Sequence, residues 1–345
     1  MNTNYISHGT YGCVMRPSVP CKKDKGSDDN TVSKIFHTSK SALEEYRFNA
    51  KIAKEIDPNG VFTIKELDYC TVALSKFPEV KKCQWDDEEM RQKLVKQIVY
   101  EYGGMSLGEA CIIVHPNALF TTFRPLFLGL VTLEKKGWVH SDIKPANLLF
   151  NPNTRKTAYI DWGMLTKMKD VYKSGSKMFF SYPYYYYPPE FILYNNKIKP
   201  NAHGDPLDNF KLFFGNPVVQ RALKSFGEKI YNMFYIEMYD DFKEYLRNSA
   251  GHTFDPAKID TFSLGVSIIQ MIVNENGIHK YSKKLRDDLV KLAGRMCWLN
   301  PVQRLSAEEA LAKFEKIFKR RLCAPRKIQN IVTGRCGLKT RQAKI

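Results

Sequence analysis

Along residues 5–14, YISHGTYGCV, apolar and polar positions alternate around two glycines, which predicts a strand, a tight turn and a second strand. Thr31-Val32-Ser33-Lys34-Ile35-Phe36 predicts a further strand, with Lys34 set between apolar neighbours, a costly place for an ammonium without an anionic partner. Residues 41–56 place Leu43, Phe48, Ile52 and Ile56 near one face of an amphipathic helix. Residues 60–75 read as one or two strands, and 76–95 as a charged, solvated connection containing Asp86-Asp87-Glu88-Glu89. Another strand runs into Tyr100-Glu101-Tyr102-Gly103-Gly104. From 116 to 136 the pattern predicts one largely apolar helix, buried against others. Residues 191–257 read as partly helical, over 218–234 and 236–246. Strands thus gather before about residue 102 and helices after it, the pattern of an α+β chain.

Between these elements, residues 138–163 (WVHSDIKPANLLFNPNTRKTAYIDWG) concentrate candidate chemistry. Two short apolar strands, 148–150 and 158–160, flank a turn and can hold Asp142, Lys144, Asn147 and Asp161 around one small volume. Two carboxylates, an amide and an ammonium suit phosphoryl transfer: one carboxylate orients a hydroxyl, the other binds Mg²⁺ beside the amide, and the ammonium faces the migrating group.

Composition narrows the setting. Apolar residues make up 43% of the 345 and charged residues 26%, as in folded proteins and not in disordered ones. The net charge of +17 favours an acidic partner, whether nucleic acid, anionic membrane surface or acidic protein. Residues 319–345 carry nine Lys/Arg and no acid, which reads either as a solvated end or as a nucleic-acid-binding arm. The eight cysteines show no C-x-x-C and no zinc-like spacing, and are expected to be ordinary reduced thiols in an intracellular, cytoplasmic protein. The first residues lack a basic and apolar signal pattern, and the apolar run 262–273 is too short to span a bilayer.

His140-Ser141-Asp142-Ile143-Lys144-Pro145-Ala146-Asn147 and Asp161-Trp162-Gly163 resemble the catalytic loop and metal-binding motif of eukaryotic-type protein kinases. The resemblance extends in family order from residue 5 to about 320. It takes in Pro188-Pro189-Glu190, Asp260-Thr261-Phe262-Ser263-Leu264-Gly265 and Asn300-Pro301-Val302-Gln303-Arg304. It implies a bilobal kinase-like fold, with a β-rich lobe over 1–102, a helical lobe over 103–320 carrying an insertion at 191–257, and a basic tail at 321–345. It also implies an ATP- and Mg²⁺-dependent enzyme (Mn²⁺ being the alternative ion) acting on Ser/Thr hydroxyls of proteins. Lys144 points to the Ser/Thr branch, and the compressed amino terminus resembles kinases of large DNA viruses and, more distantly, the casein-kinase-1/vaccinia-related group.

By that resemblance Ser7, Gly9, Gly12 and Val14 form the phosphate loop, Ser7 standing where the family has its first glycine. Lys34 holds the α- and β-phosphates, and either Glu44 or Glu45 pairs with it; Glu45 fits the apolar spacing better, and Asn49 then takes a position that is usually apolar. Tyr100 is the gatekeeper, Glu101 and Gly103 meet adenine through their backbone, and Val14, Val32 and Leu149 sandwich its ring. Asp142 is the catalytic base, Lys144 faces the γ-phosphate, and Asn147 and Asp161 bind metal. Asp260 ties down the loop backbone, and Glu190 pairs with Arg304.

Two departures bear on regulation. Ser141 replaces the arginine that answers activation-segment phosphorylation, and Pro183 falls where a Thr usually supports the catalytic Asp, with Ser181 the candidate substitute. Tyr184 to Tyr187, following Lys167, Lys169, Lys173 and Lys177, read either as a packed aromatic patch or as a docking surface for an acidic peptide. A catalytically silent scaffold and a nucleic-acid-binding protein acting through its tail are the alternatives.

Overall fold

The computed structural model describes residues 4–9, 12–21, 29–73, 83, 94–173, 184–193, 205–248, 255–274 and 281–322. The chain is mixed α+β, with an antiparallel sheet in its first hundred residues and helices dominating the rest.

Five strands build the sheet: β1 (Asn4–Gly9), β2 (Gly12–Arg16), β3 (Thr31–Phe36), β4 (Glu66–Ala73) and β5 (Leu94–Glu101), in the spatial order β1-β2-β3-β5-β4. Alternation gives the sheet two apolar faces. On one, Cys13, Met15, Val19, Ile35, Val72 and Val95 form a compact cluster. On the other, Phe36, Ile98 and Tyr100 pack on Ala42 of helix α1 (Ser39–Lys51). Thr38 caps α1 by accepting the Ser41 N–H at 3.1 Å, and Lys51 sits favourably in its last turn. The helical path continues through a wider turn, Ile52–Ile56, which buries Ile52 and Ile56 in the main core.

The cysteine expectation is corrected. Cys13 is bonded to Cys83 and Cys21 to Cys70, with Cα atoms 5.8 and 5.9 Å apart. The partners lie 70 and 49 residues apart in sequence, so no local spacing could betray them; the sheet brings them together. The inference of a reducing setting loses its support with them. Cys111 and Cys297 are buried and belong to neither disulfide. Alkylation of the unfolded chain is expected to label Cys13, Cys21, Cys70 and Cys83 only after reduction. Peptide masses check this, and labelling of all four without reductant would refute the pairing.

Beyond the sheet, β6 (Met105–Ser106) leads into α2 (Leu107–Ile113), whose start is a capping box between Ser106 and Glu109. The single helix predicted over 116–136 is two helices, α3 (Pro116–Phe120) and α4 (Arg124–Lys135). The break is local: the Thr121 and Thr122 hydroxyls donate back to the Ala118 and Leu119 carbonyls, and Pro125 offers no N–H to a continuous helix. Short strands β7 (Trp138–Val139), β8 (Leu148–Asn151), β9 (Lys156–Tyr159) and β10 (Thr166–Lys167) follow. β6 pairs with β8, β8 with β9, and β10 with β7.

The region 191–257 contributes α5 (Asp208–Phe214), α6 (Pro217–Ser225), α7 (Glu228–Asn232) and α8 (Met238–Arg247). Phe214, Leu223, Ile230 and Phe242 bury these helices in the same core as the rest of the helical part. That core centres on α9 (Ile259–Val273), which is nearly wholly buried, its Asp260, Ser263 and Ser267 included. It packs on α10 (Lys283–Met296), and a Cβ at Gly265 would lie 2.8 Å from the Ala293 carbonyl oxygen, so only glycine permits this approach. Each buried isoleucine of α9, such as Ile268, Ile269 or Ile272, contributes about 2 kcal/mol of burial. Finally α11 (Ala307–Leu322) closes over α4, Phe314 stacking on Phe127 at 4.3 Å. Among the described residues no helix is long and apolar enough to cross a membrane.

Candidate active site

Between the sheet and the helical part runs a cleft of about 1380 Å³. Gly12, Val14, Val32 and Lys34 line it from β2 and β3, Glu45 from α1, Glu101 and Gly103 from the end of β5, and Asn147, Leu149 and Asp161 from the opposite wall.

Lys34 stands between buried Ser33 and Ile35 on β3, and its ammonium meets Glu45 at 2.5 Å. Glu44 is exposed, so of the two candidates only Glu45 faces the sheet. Behind Glu45, the Tyr100 hydroxyl donates to its second oxygen at 2.9 Å and accepts from the Asn49 amide at 2.6 Å. Tyr100 is buried, and burial first, then the Glu45 charge, raises its phenol well above the ordinary value.

In the glycine hairpin Ser7 pairs with Val14 and Gly9 with Gly12. Thr10 and Tyr11, at its tip, lie outside the described residues. Gly12 is demanded by the neighbouring strand: a Cβ there would sit 2.2 Å from the Ile35 carbonyl oxygen. At the other end of the cleft a Cβ on Gly103 would meet the Leu149 side chain at 2.5 Å, so glycine brings the chain down onto the cleft floor. The Glu101 N–H donates to the Lys65 carbonyl at 2.9 Å, which leaves Glu101 its carbonyl for any ligand contact.

The polar loop lies across the cleft. Lys144 donates to both Asp142 oxygens at 3.0 and 2.8 Å, and the Asn147 amide nitrogen donates to one of them at 2.7 Å and to the Asp142 carbonyl at 2.9 Å. With its N–H groups so committed, Asn147 can offer a cation only its amide oxygen, and Asp161 can offer its carboxylate. Asp142 and Lys144 do not line the cleft itself; Asn147 joins them to it.

Several buried contacts hold this loop in shape. The Asp260 carboxylate accepts the His140 and Ser141 N–H groups at 2.6 and 3.0 Å, while burial raises its titration to about 6. His140 donates from Nε2 to the Ile160 carbonyl at 3.2 Å, so Nδ1 accepts the Asp142 N–H at 3.3 Å; burial lowers its pKa and keeps the ring neutral. Ser141 and Asp161 both occupy the left-handed region, with φ of 72° and 61°. Such conformations are uncommon for non-glycine residues and persist where surrounding contacts over-determine them. Ser141 is fully buried and turns its hydroxyl to the Val139 carbonyl.

Sequence reasoning missed the residue that touches Asp142 from the tyrosine run. The Tyr184 hydroxyl donates to Asp142 at 3.2 Å, Tyr187 donates to the Ser141 carbonyl at 2.9 Å, and Tyr186 bonds to Gln270. Tyr186 and Tyr187 are buried, so that end of the run is packing under the loop and not an open docking face. Four consecutive tyrosines, some forty residues after the polar loop, were the available hint. Pro183, Ser181 and Lys177 lie outside the described residues; Lys167 stacks over Trp138 at 3.7 Å and Lys173 pairs with Asp170 at 2.5 Å.

Further down, Arg304 binds Glu190 through both guanidinium nitrogens, one contact at 3.0 Å, with each side chain almost completely buried. No protein-family model matches the chain, and no characterised protein matches its sequence at a significant level.

Proposed function

We propose that the chain is an ATP- and Mg²⁺-dependent protein kinase that transfers the γ-phosphate to Ser/Thr hydroxyls of protein substrates, on a bilobal kinase-like fold. One observation carries this reading: the Lys34–Glu45 pair faces Asn147 and Asp161 across one nucleotide-sized cleft, and Asn147 joins the Asp142–Lys144 pair to it. Lys34 would grip the α- and β-phosphates, with adenine between Val14, Val32 and Leu149 and against the backbone of Glu101 and Gly103. Asp142 would orient the acceptor hydroxyl and take its proton as the new P–O bond forms and ADP departs. Lys144 would neutralise charge on the migrating phosphoryl group. Asn147 and Asp161 would hold Mg²⁺, which when bound neutralises phosphate charge. The residues of this chain supply mainly position and electrostatic stabilisation.

Transfer of labelled γ-phosphate from Mg-ATP to casein, to a basic protein and to the chain itself tests the reading. Label on Ser or Thr supports it; Mg-ATP binding with no transfer to any acceptor would instead favour a silent scaffold. Because Ser141 is buried against its own backbone, activity is expected not to depend on activation-segment phosphorylation. Changing Ser174, Ser176 and Ser181, which lie outside the described residues, to Ala should leave peptide phosphorylation within about twofold; a collapse of rate would contradict this. Nucleic-acid tethering through the basic tail, whose residues 323–345 lie outside the described residues, belongs to the same proposal. So does the kinship with viral kinases. Salt-sensitive DNA binding that disappears on truncation after Phe318 would establish the tether separately from catalysis.

A further inference from the structure

The Lys34–Glu45 pair does not stand alone; it is the visible end of a buried polar chain. Glu45 and Asn49 lie one turn apart on α1 and so share a face. Opposite them Tyr100 on β5 is the cross-strand partner of Glu66 on β4. The roles of donor and acceptor run in one direction. Lys34 donates to one Glu45 oxygen and Tyr100 to the other, so the Tyr100 oxygen must accept, and it accepts from Asn49. Asn49 also lies close enough to the Glu66 carboxyl to favour its ionised form. At that far end the order stops: Glu66 Oε2 is buried and has no hydrogen-bond partner. The groups facing Glu66 are Glu45 and Asn49 from α1 and Tyr100 from β5, with Lys34 of β3 beyond Glu45. No cation answers it directly among them. All five side chains line the same cleft.

We propose that Tyr100, Asn49 and Glu66 form a positioning relay for the Glu45–Lys34 pair, through which the charge on Glu66 sets how strongly the cleft holds an anionic nucleotide. This rests on the nucleotide-site reading above. Burial first, then the Glu45 charge, raise the Glu66 carboxyl to about 7 against the opposing influence of Asn49. Its charge therefore changes near neutrality. Ionised, it adds a second negative charge beside Glu45, which opposes phosphate binding at Lys34; protonated, it removes that charge. Tyr100 is not a group that touches the reacting atoms. It fixes the Glu45 carboxylate so that one oxygen always faces Lys34.

Mg-ADP titrated calorimetrically against the full chain, from about pH 6 to about pH 8.5, tests the relay. The ratio of wild-type to Glu66→Gln affinity cancels the titration of ADP itself. It is expected to fall about threefold as pH rises through the Glu66 range. Tyr100→Phe keeps the ring and removes one hydrogen bond to a charged group, and is expected to weaken Mg-ADP about tenfold. A second readout needs no nucleotide. A carboxyl raised from 4.5 to about 7 on folding contributes stability at low pH that is lost as pH climbs through that window. Glu66→Gln should therefore melt with the wild type near pH 5 and above it near pH 8. A pH-independent affinity ratio, or a Tyr100→Phe chain that binds Mg-ADP like the wild type, would overturn the relay and leave the nucleotide site standing. No Mg-ADP binding to the wild type would overturn both. Should Tyr100→Phe fail to fold, the Glu66→Gln ratio and melting curves decide alone.

Discussion

Asp142→Asn is expected to lower γ-phosphate transfer by about 10³-fold or more while Mg-ATP still binds. The expectation has two sources. An amide cannot take the proton of the acceptor hydroxyl near neutrality, which removes the general base. The substitution also has nowhere to put its NH₂. One Asp142 oxygen accepts from Lys144 and Asn147, and the other accepts from Lys144 and Tyr184. Either orientation of an asparagine sets a donor against donors. The Lys34 side of the cleft is untouched, so single-turnover rates should fall while nucleotide affinity holds. A variant that transfers phosphate at near the wild-type rate would end the assignment of Asp142 as the base.

Arg304→Ala is expected to cost about 3–5 kcal/mol of stability, lowering the melting temperature on the order of 10 °C. Removal of the guanidinium leaves the Glu190 carboxylate buried and uncompensated. It also strips the Trp298 and Leu299 carbonyls of donors they receive from Arg304 at 2.8 and 3.3 Å. The pair ties the end of the tyrosine segment to the turn before α11, so local loosening there should accompany the loss. Pairing Arg304→Met with Glu190→Gln removes the orphaned charge and should restore part of the stability, though not the two carbonyl bonds. If Arg304→Ala melted with the wild type, a structural lock at this pair would be untenable.

The chemistry of residues 138–163 was legible because its parts are close in sequence: Asp142, Lys144 and Asn147 lie within one turn of a loop bounded by two short strands. The choice of Glu45 over Glu44 was open by contrast. Helical periodicity separates adjacent residues by only about 100°, and which of them meets Lys34 depends on how α1 lies on the sheet. The helix predicted over 116–136 erred at Thr121 and Thr122, whose hydroxyls return to the backbone in a way that apolar periodicity does not register.

What the amino-acid sequence determined alone was the local: strands before helices, the polar loop, and the apolar run 262–273 within α9. Tertiary structure decided the distant pairings that no motif carries. It joined Cys13 to Cys83 and Cys21 to Cys70, and set the Tyr184 hydroxyl on Asp142, 42 residues away. It placed Tyr100 between Glu45 and Asn49. The physical reason is common to all of them. Periodicity and turn chemistry act over a few residues, whereas a disulfide, a buried hydroxyl or an ion pair is chosen by which surfaces the core brings within about 3 Å.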